Sequence, residues 1–197
     1  MSKLFFYDLE TTGVRYWKNG IHQISGKIVI NGKTKETFNY KVKPYKDALI
    51  EDEALEVAGI TRADLQSYEE MDVVYRKLVK MLGKYVDKYT KHDKFYLVGY
   101  NNASFDNQFF RAFFTQMGDN YFGSWFWSNS IDVMVLATMQ LTAVRDVMPN
   151  FKLSTVAHYY DIKVDESMLH DALYDIELTE QIYNQFVKET INNGTAK

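Results

Sequence analysis

Phe5-Phe6-Tyr7-Asp8-Leu9-Glu10-Thr11-Thr12-Gly13 begins as an apolar, aromatic run and closes on two acids. A run of this kind predicts a short buried central strand over 4–7 that delivers carboxylates at its C-terminal end. Side chains alternate along a strand, so Asp8 and Glu10, two apart, point to the same side of the sheet. Like charges held so close oppose each other unless a cation intervenes. Taken alone, an exposed strand end with ordinary acids would account for the same residues.

Moving outward, the segments 21–30 and 37–42 flank Asn31-Gly32, the commonest short hairpin turn pair, so three antiparallel strands are expected to open the fold. Met71, Val74, Leu78, Met81, Leu82 and Tyr85 recur at the three-and-four spacing of an amphipathic helix within 68–89. A second buried strand is predicted over 95–100. Asn102 then reads as an N-cap and 103–117 as a helix. That places Asp106 in a first helical turn just beyond a strand end, where α/β folds keep their sites. A cap followed by a first-turn acid also explains both residues without chemistry. Further helices are predicted over 131–141, 153–160 and 172–186.

The length of 197 residues is long for a minimal domain and short for two, which predicts one compact α/β domain over 1–190 with 191–197 as a frayed tail. There is no Cys, so disulfides, thiolate metal sites and cysteine nucleophiles are excluded and any metal must sit on oxygen or imidazole. A net charge of −3 argues against a protein that coats duplex nucleic acid through a broad basic face. The N-terminal residues lack a signal-length apolar region and no later run is long enough for a membrane span, so the expectation is a soluble, intracellular, cytoplasmic protein with no membrane partner.

The third informative stretch is His170-Asp171-Ala172-Leu173-Tyr174-Asp175. With a helix starting near Ala172, Asp175 lies in its opening turn, where the helix dipole favours an ionised carboxylate, and His170 stands on the preceding loop. An imidazole, with an ordinary pKa near roughly 6.5, suits a base at neutral pH; a plain surface histidine fits the same position. Together, four carboxylates and one histidine can hold two hard divalent cations and supply one titratable base. Those are the parts needed to hydrolyse a phosphodiester with water.

In order and spacing, these motifs resemble those of the DEDD superfamily of 3′-to-5′ exonucleases, which includes polymerase proofreading domains. His170-x-Ala172-x-x-Asp175 matches the histidine-bearing, DnaQ-like branch (DEDDh); the sister branch would carry Tyr where this chain has Asp171. The similarity extends to 23–29, to Gly59-Ile60-Thr61 and to 152–156, with Ala58 departing from the histidine common before that Gly-Ile-Thr. It implies a ribonuclease H-like fold, a mixed central sheet flanked by helices. It also implies Asp8, Glu10, Asp106 and Asp175 as ligands of two Mg²⁺ ions, with Mn²⁺ as substitute, and His170 as general base. Thr11, Thr12, Asn102 and Phe105 flank the motifs and are implied contacts of the terminal nucleotide, with core packing or capping as the alternative for each.

The implied reaction releases nucleoside 5′-monophosphates from single-stranded or frayed DNA 3′ ends, either alone or in proofreading for a separate DNA polymerase. Trimming of short RNA is the same-class alternative, since nothing identifies the sugar. A non-catalytic nucleic-acid-binding or polymerase-docking module is the alternative of another class. Five clustered titratable groups, costly to stability without metal, argue against it. Asp132 reads as an N-cap rather than a fifth ligand, and Asp171 as a second cap. His22, His92 and His158 have no acidic partner at metal-ligand spacing and read as structural. The aromatic segment 121–127 could stack unpaired bases or bind a partner, and core filling is the commoner outcome for such clusters.

Overall fold

The computed structural model describes residues 2–194. Its five-stranded sheet has the order β3-β2-β1-β4-β5, with β1 Lys3–Thr11, β2 Ile21–Ile30, β3 Lys33–Lys41, β4 Tyr96–Gly99 and β5 Ile131–Asp132. The first three strands are antiparallel, and β1, β4 and β5 run parallel. This is the mixed sheet flanked by helices that the motifs imply. Asn31 (φ 50°) and Gly32 (φ 72°) both take left-handed backbone, the geometry a two-residue hairpin demands of its Asn-Gly pair.

Alternation along β1 divides the core. Phe5, Tyr7 and Leu9 face one apolar cluster, built with α3 (Met71–Leu82) and α4 (Asp106–Gln116) and filled by Phe95, Phe110, Phe114 and Phe126. Leu4 and Phe6 face a second cluster, built with α6 (Val133–Gln140), α7 (Leu153–Tyr159) and α8 (Ala172–Gly194). Gly26, paired with Tyr7, leaves room for the Phe38 ring, since a Cβ there would lie 2.3 Å from Phe38 Cζ. The short helices α1 (Asp52–Val57), α2 (Arg62–Ser67) and α5 (Phe122–Trp125) are too brief for a periodic signal. Thr61 nevertheless heads α2 with a complete capping box to Asp64.

Several boundaries differ from the sequence reading. The first strand extends through Thr11 because β2 pairs with it that far, so Asp8 and Glu10 are paired strand residues, as their alternation requires, although the apolar run stops at Tyr7. β3 starts at Lys33, directly after the turn. The helix expected over 68–89 is limited to α3, with Gly83 as its C-cap. Residues 131–132 are a short strand, and the helix starts only at Val133. The last helix runs past 186 to Gly194, so 191–194 of the expected tail are helical backbone and 195–197 lie outside the described residues. Within 121–127, Phe122, Trp125 and Phe126 are core residues.

Candidate active site

Parallel pairing of β1 with β4 brings the C-terminal ends of both strands to one edge of the sheet. β1 places Asp8 and Glu10 there on the face that Leu4 and Phe6 share, toward α8. From the other side of that edge, β4 leads into a turn through Asn101, whose φ of 60° is left-handed, and on to α4. The turn is fastened by Asp132, whose carboxylate accepts from Asn101 N (3.0 Å) and Ala103 N (3.1 Å) while also capping α6 through Met134 N (3.0 Å). Asp132 is therefore the N-cap read from sequence, with a second task in shaping the path to Asp106.

That path changes the role expected of Asn102 and keeps Asp106 in the first helical turn, as read. The helix begins at Asp106, with Phe105 at the cap position, so Asn102 is not the N-cap. Asn102 is fully buried with no hydrogen bond to its amide oxygen or nitrogen, beneath Gly99, where a Cβ would lie 2.8 Å from Asn102 Cβ. Asp106, the first residue of α4, is buried, and its Oδ1 accepts from Leu9 N (3.3 Å), which holds it against β1.

Asp175 sits in the first turn of α8, as the sequence predicts, and Asp171 caps that helix by accepting from Leu173 N (3.1 Å) and Tyr174 N (3.0 Å). Lys27 on β2 clamps α8 to the sheet through Glu180 (2.5 Å). His170 is exposed on the loop before α8, in a left-handed conformation at φ 71°. With Asp175 it lines an open cleft of about 670 Å³, which Tyr100, Asn101, Lys152 and Ser154 also line.

The four carboxylates are close enough to oppose one another's ionisation. Burial, then the charges of Asp106, Glu10 and Asp175, push the Asp8 carboxyl well above the usual carboxylate range. Glu10 is pushed up to about 7 by burial, then by Asp175 and Asp106, with Lys41 pulling the other way. Burial likewise raises Asp106 to about 7, against hydrogen bonds from main-chain N–H groups. Asp175 is raised by burial and drawn back by His170. One Asp175 oxygen is buried with no hydrogen-bond partner.

Among the described residues, no three His, Asp or Glu side chains stand as a ready ligand set. Their mutual repulsion opposes closer approach. The donor chemistry nonetheless fits a hard divalent cation: every donor is a carboxylate oxygen, one of them is orphaned, and one nearby lysine, Lys41, does not balance four acids.

The residues flanking the motifs are engaged in packing. Thr12 is fully buried, and its hydroxyl donates to Leu49 O (2.7 Å) and accepts from Gly20 N (2.9 Å). Thr11, also buried, donates to Gly13 O (2.8 Å). Both hydroxyls hold the loop after β1. Phe105 remains half-buried with its ring 5.0 Å from that of Phe109. Sequence reasoning missed Lys41, which β3 brings opposite Gln23 beside Glu10; the hairpin register was the signal that could have found it. It also missed Asn107, whose Oδ1 accepts from the buried Tyr7 hydroxyl (2.7 Å). Of the other histidines, His22 is fully buried with neither ring nitrogen hydrogen-bonded, and burial, then Lys41, pushes its pKa down to about 4. His158 does have an acidic neighbour, Glu166 at 3.6 Å, on the exposed surface.

The exonuclease family model (RNase_T) matches residues 5–183. The chain belongs to the exonuclease family. Two PolC-type DNA polymerases III are similar to this exonuclease domain: that of Mycoplasmopsis pulmonis, 25% identical over 177 residues, and that of Halalkalibacterium halodurans, 26% identical over 189. These matches cover 90% and 95% of the chain but only 11% and 12% of the polymerases. Among solved structures, Escherichia coli exonuclease I in complex with a dT13 oligonucleotide has a TM-score of 0.74 at 22% identity over 96% of this chain and 41% of its own. The apo form of exonuclease I also has a TM-score of 0.74. The exonuclease domain thus has the ribonuclease H-like fold and spans about two-fifths of those chains. No helix among the described residues is long and apolar enough to cross a membrane.

Proposed function

We propose that this exonuclease domain removes nucleotides in the 3′-to-5′ direction from single-stranded or frayed DNA ends and releases nucleoside 5′-monophosphates. The observation that carries the reading is the unbalanced acidic edge: four carboxylates with raised pKa values, one oxygen orphaned, beside an exposed imidazole. Asp8, Glu10, Asp106 and Asp175 would hold the divalent cations. Oxygen donors favour two Mg²⁺ ions, with Mn²⁺ as a substitute. When bound, such cations supply Lewis acidity at the scissile phosphate and stabilise the charge that develops on the leaving oxygen.

The protein's own part is positioning and proton transfer. His170, on its loop at the mouth of the cleft, takes a proton from the attacking water. Asp175, five residues on in the first turn of α8, orients the imidazole through its negative charge. The turn fastened by Asp132 fixes where Asp106 begins α4. Similarity to polymerases III favours DNA over RNA as the substrate and a DNA polymerase as the associated partner.

The test is incubation with end-labelled single-stranded DNA and RNA of matched sequence, with Mg²⁺ and then with chelator. Stepwise loss of mononucleotides from the 3′ end of DNA is expected, stopped by a blocked 3′ end and by chelator. Preferential loss from RNA would assign the ribonuclease reading. Binding without hydrolysis would assign the non-catalytic one, and cleavage of a closed single-stranded circle would contradict the exonuclease polarity.

A further inference from the structure

A second concave surface, sharing no lining residue with the cleft that His170 lines, lies along α4, the helix that Asp106 begins. The loop after β1 and the outer face of α4 enclose a groove of about 420 Å³, lined by Tyr16, Trp17, Gln108, Arg111, Thr115 and Gln116. On α4, Gln108, Arg111 and Thr115 fall three and four apart, and Gln108, Ala112 and Gln116 four apart, so they share one face, while Phe109, Phe110, Phe113 and Phe114 bury the opposite one. Trp17 is 63% exposed, although the aromatic core lies directly behind the helix.

The groove continues from the candidate active site. Phe105, adjacent to Asp106, packs on Phe109 (5.0 Å between ring centres), Phe109 meets Tyr16 (6.5 Å), and Tyr16 meets Trp17 edge-on (5.1 Å). Arg111 is five positions after Asp106 on the helix, about 8 Å along the axis. The guanidinium of Arg111 lies 4.5 Å over the Phe122 ring, and among the described residues no carboxylate pairs with it. A cation held in place by a ring rather than an acid keeps its charge available to an anion. Exposed aromatic faces, an unpaired guanidinium and the side-chain amides of Gln108 and Gln116 make up the chemistry that binds single-stranded nucleic acid.

We propose that this groove binds the single strand next to the scissile 3′ nucleotide, with a base stacked on Trp17 or Tyr16 and a backbone phosphate on Arg111. The proposal rests on the reading of the carboxylate edge as the place where the 3′ end is cleaved. It adds a length requirement: a strand that reaches the groove is held more tightly than the terminal nucleotide alone.

The experiment measures binding of a short, fluorescently labelled oligothymidylate in chelator, where nothing is hydrolysed, by the anisotropy of the label, and with the unlabelled oligomer by quenching of tryptophan emission. Quenching is expected in the parent and is expected to be largely lost in Trp17→Phe. Trp17→Ala should raise the dissociation constant roughly 5- to 150-fold, the range for removing one base-stacking platform. Arg111→Ala should reduce the slope of log affinity against log salt by about 0.7, the loss of one phosphate contact to a single strand. Circular dichroism checks that all three variants fold. Parent-like affinity and salt slope in folded variants would overturn the proposal, as would self-association of the parent that Trp17→Ala abolishes, which would assign the groove to a second copy. Hydrolysis of the p-nitrophenyl ester of thymidine 5′-monophosphate with Mg²⁺ separates the two readings. An inert parent refutes the cleavage site whatever the binding data show, and an active parent whose oligomer affinity ignores Trp17 and Arg111 refutes the groove alone.

Discussion

On one face of β1, Phe5, Tyr7 and Leu9 close against α3 and α4 in a core dominated by phenylalanine. On the other, Leu4 and Phe6 give way to Asp8 and Glu10 beneath α8. One strand therefore serves two opposed purposes. Its first face gains stability from apolar burial and ring contacts, such as Phe5 on Phe110 at 6.0 Å and Tyr7 on Phe110 at 5.3 Å. Its second face starts the same way and then gathers like charges whose raised pKa values record a cost to the folded state at neutral pH. The stable face holds the strand that keeps the costly face in place. Substitutions on the two sides should separate activity from stability.

The largest effect is expected on the acidic face. Asp8→Asn or Asp175→Asn should reduce hydrolysis of single-stranded DNA below detection, because each removes a charged oxygen donor from the edge. Circular dichroism should show the fold retained, since neither change removes a core side chain. Turnover near that of the parent in either variant would show that the acidic edge is not the site of chemistry.

Next comes the imidazole. His170→Ala should cost about a hundredfold to ten-thousandfold in turnover, the usual worth of general-base catalysis, while stabilisation by divalent cations persists. Parent-like turnover would return His170 to the role of a surface loop residue. On the aromatic face the pattern should reverse: Phe110→Ala should destabilise by roughly 3–5 kcal/mol in denaturant unfolding. Its residual folded fraction should keep most of its specific activity.

How much of this was legible in the sequence depends on the range of each interaction. The turn at Asn31-Gly32, α3 with its periodic Met71, Val74 and Leu78, and the start of the helix carrying Asp175 are local matters of turn chemistry and spacing, and they exist as read although their bounds differ. The five motif residues were legible because their order along the chain matches a family pattern. Boundaries were not legible where a distant strand decides them: β1 extends to Thr11 because β2 runs beside it, and Ile131-Asp132 are extended because β4 offers them an edge. Asn102 looked like a cap because its local sequence is that of a cap. The carboxylate of Asp132, thirty residues on, takes the main-chain N–H groups on either side of it and moves the helix start to Asp106. The groove beside Trp17 had no sequence signal, since it depends on which face of α4 the loop after β1 covers.

The central claim is that the α8 side of β1 carries carboxylates that call for a divalent cation, and thermal unfolding tests it most directly. Glu10 and Asp106 titrate near 7 in the folded protein and near the ordinary carboxylate value when unfolded, so the folded state binds the extra protons between about pH 4.5 and 7. Their contribution is full below that window and is lost as pH rises through 7. His22, pushed down to about 4, works in the opposite direction over much of the same window, so the parent must be compared with Glu10→Gln, which retains His22. In chelator, Glu10→Gln should match the parent near pH 4.5 and melt several degrees higher at pH 8. At pH 8, Mg²⁺ or Mn²⁺ should raise the melting temperature of the parent in a concentration-dependent way and raise that of Asp8→Asn much less. A parent whose melting temperature ignores both cations, or a rise of equal size in Asp8→Asn, would contradict the account.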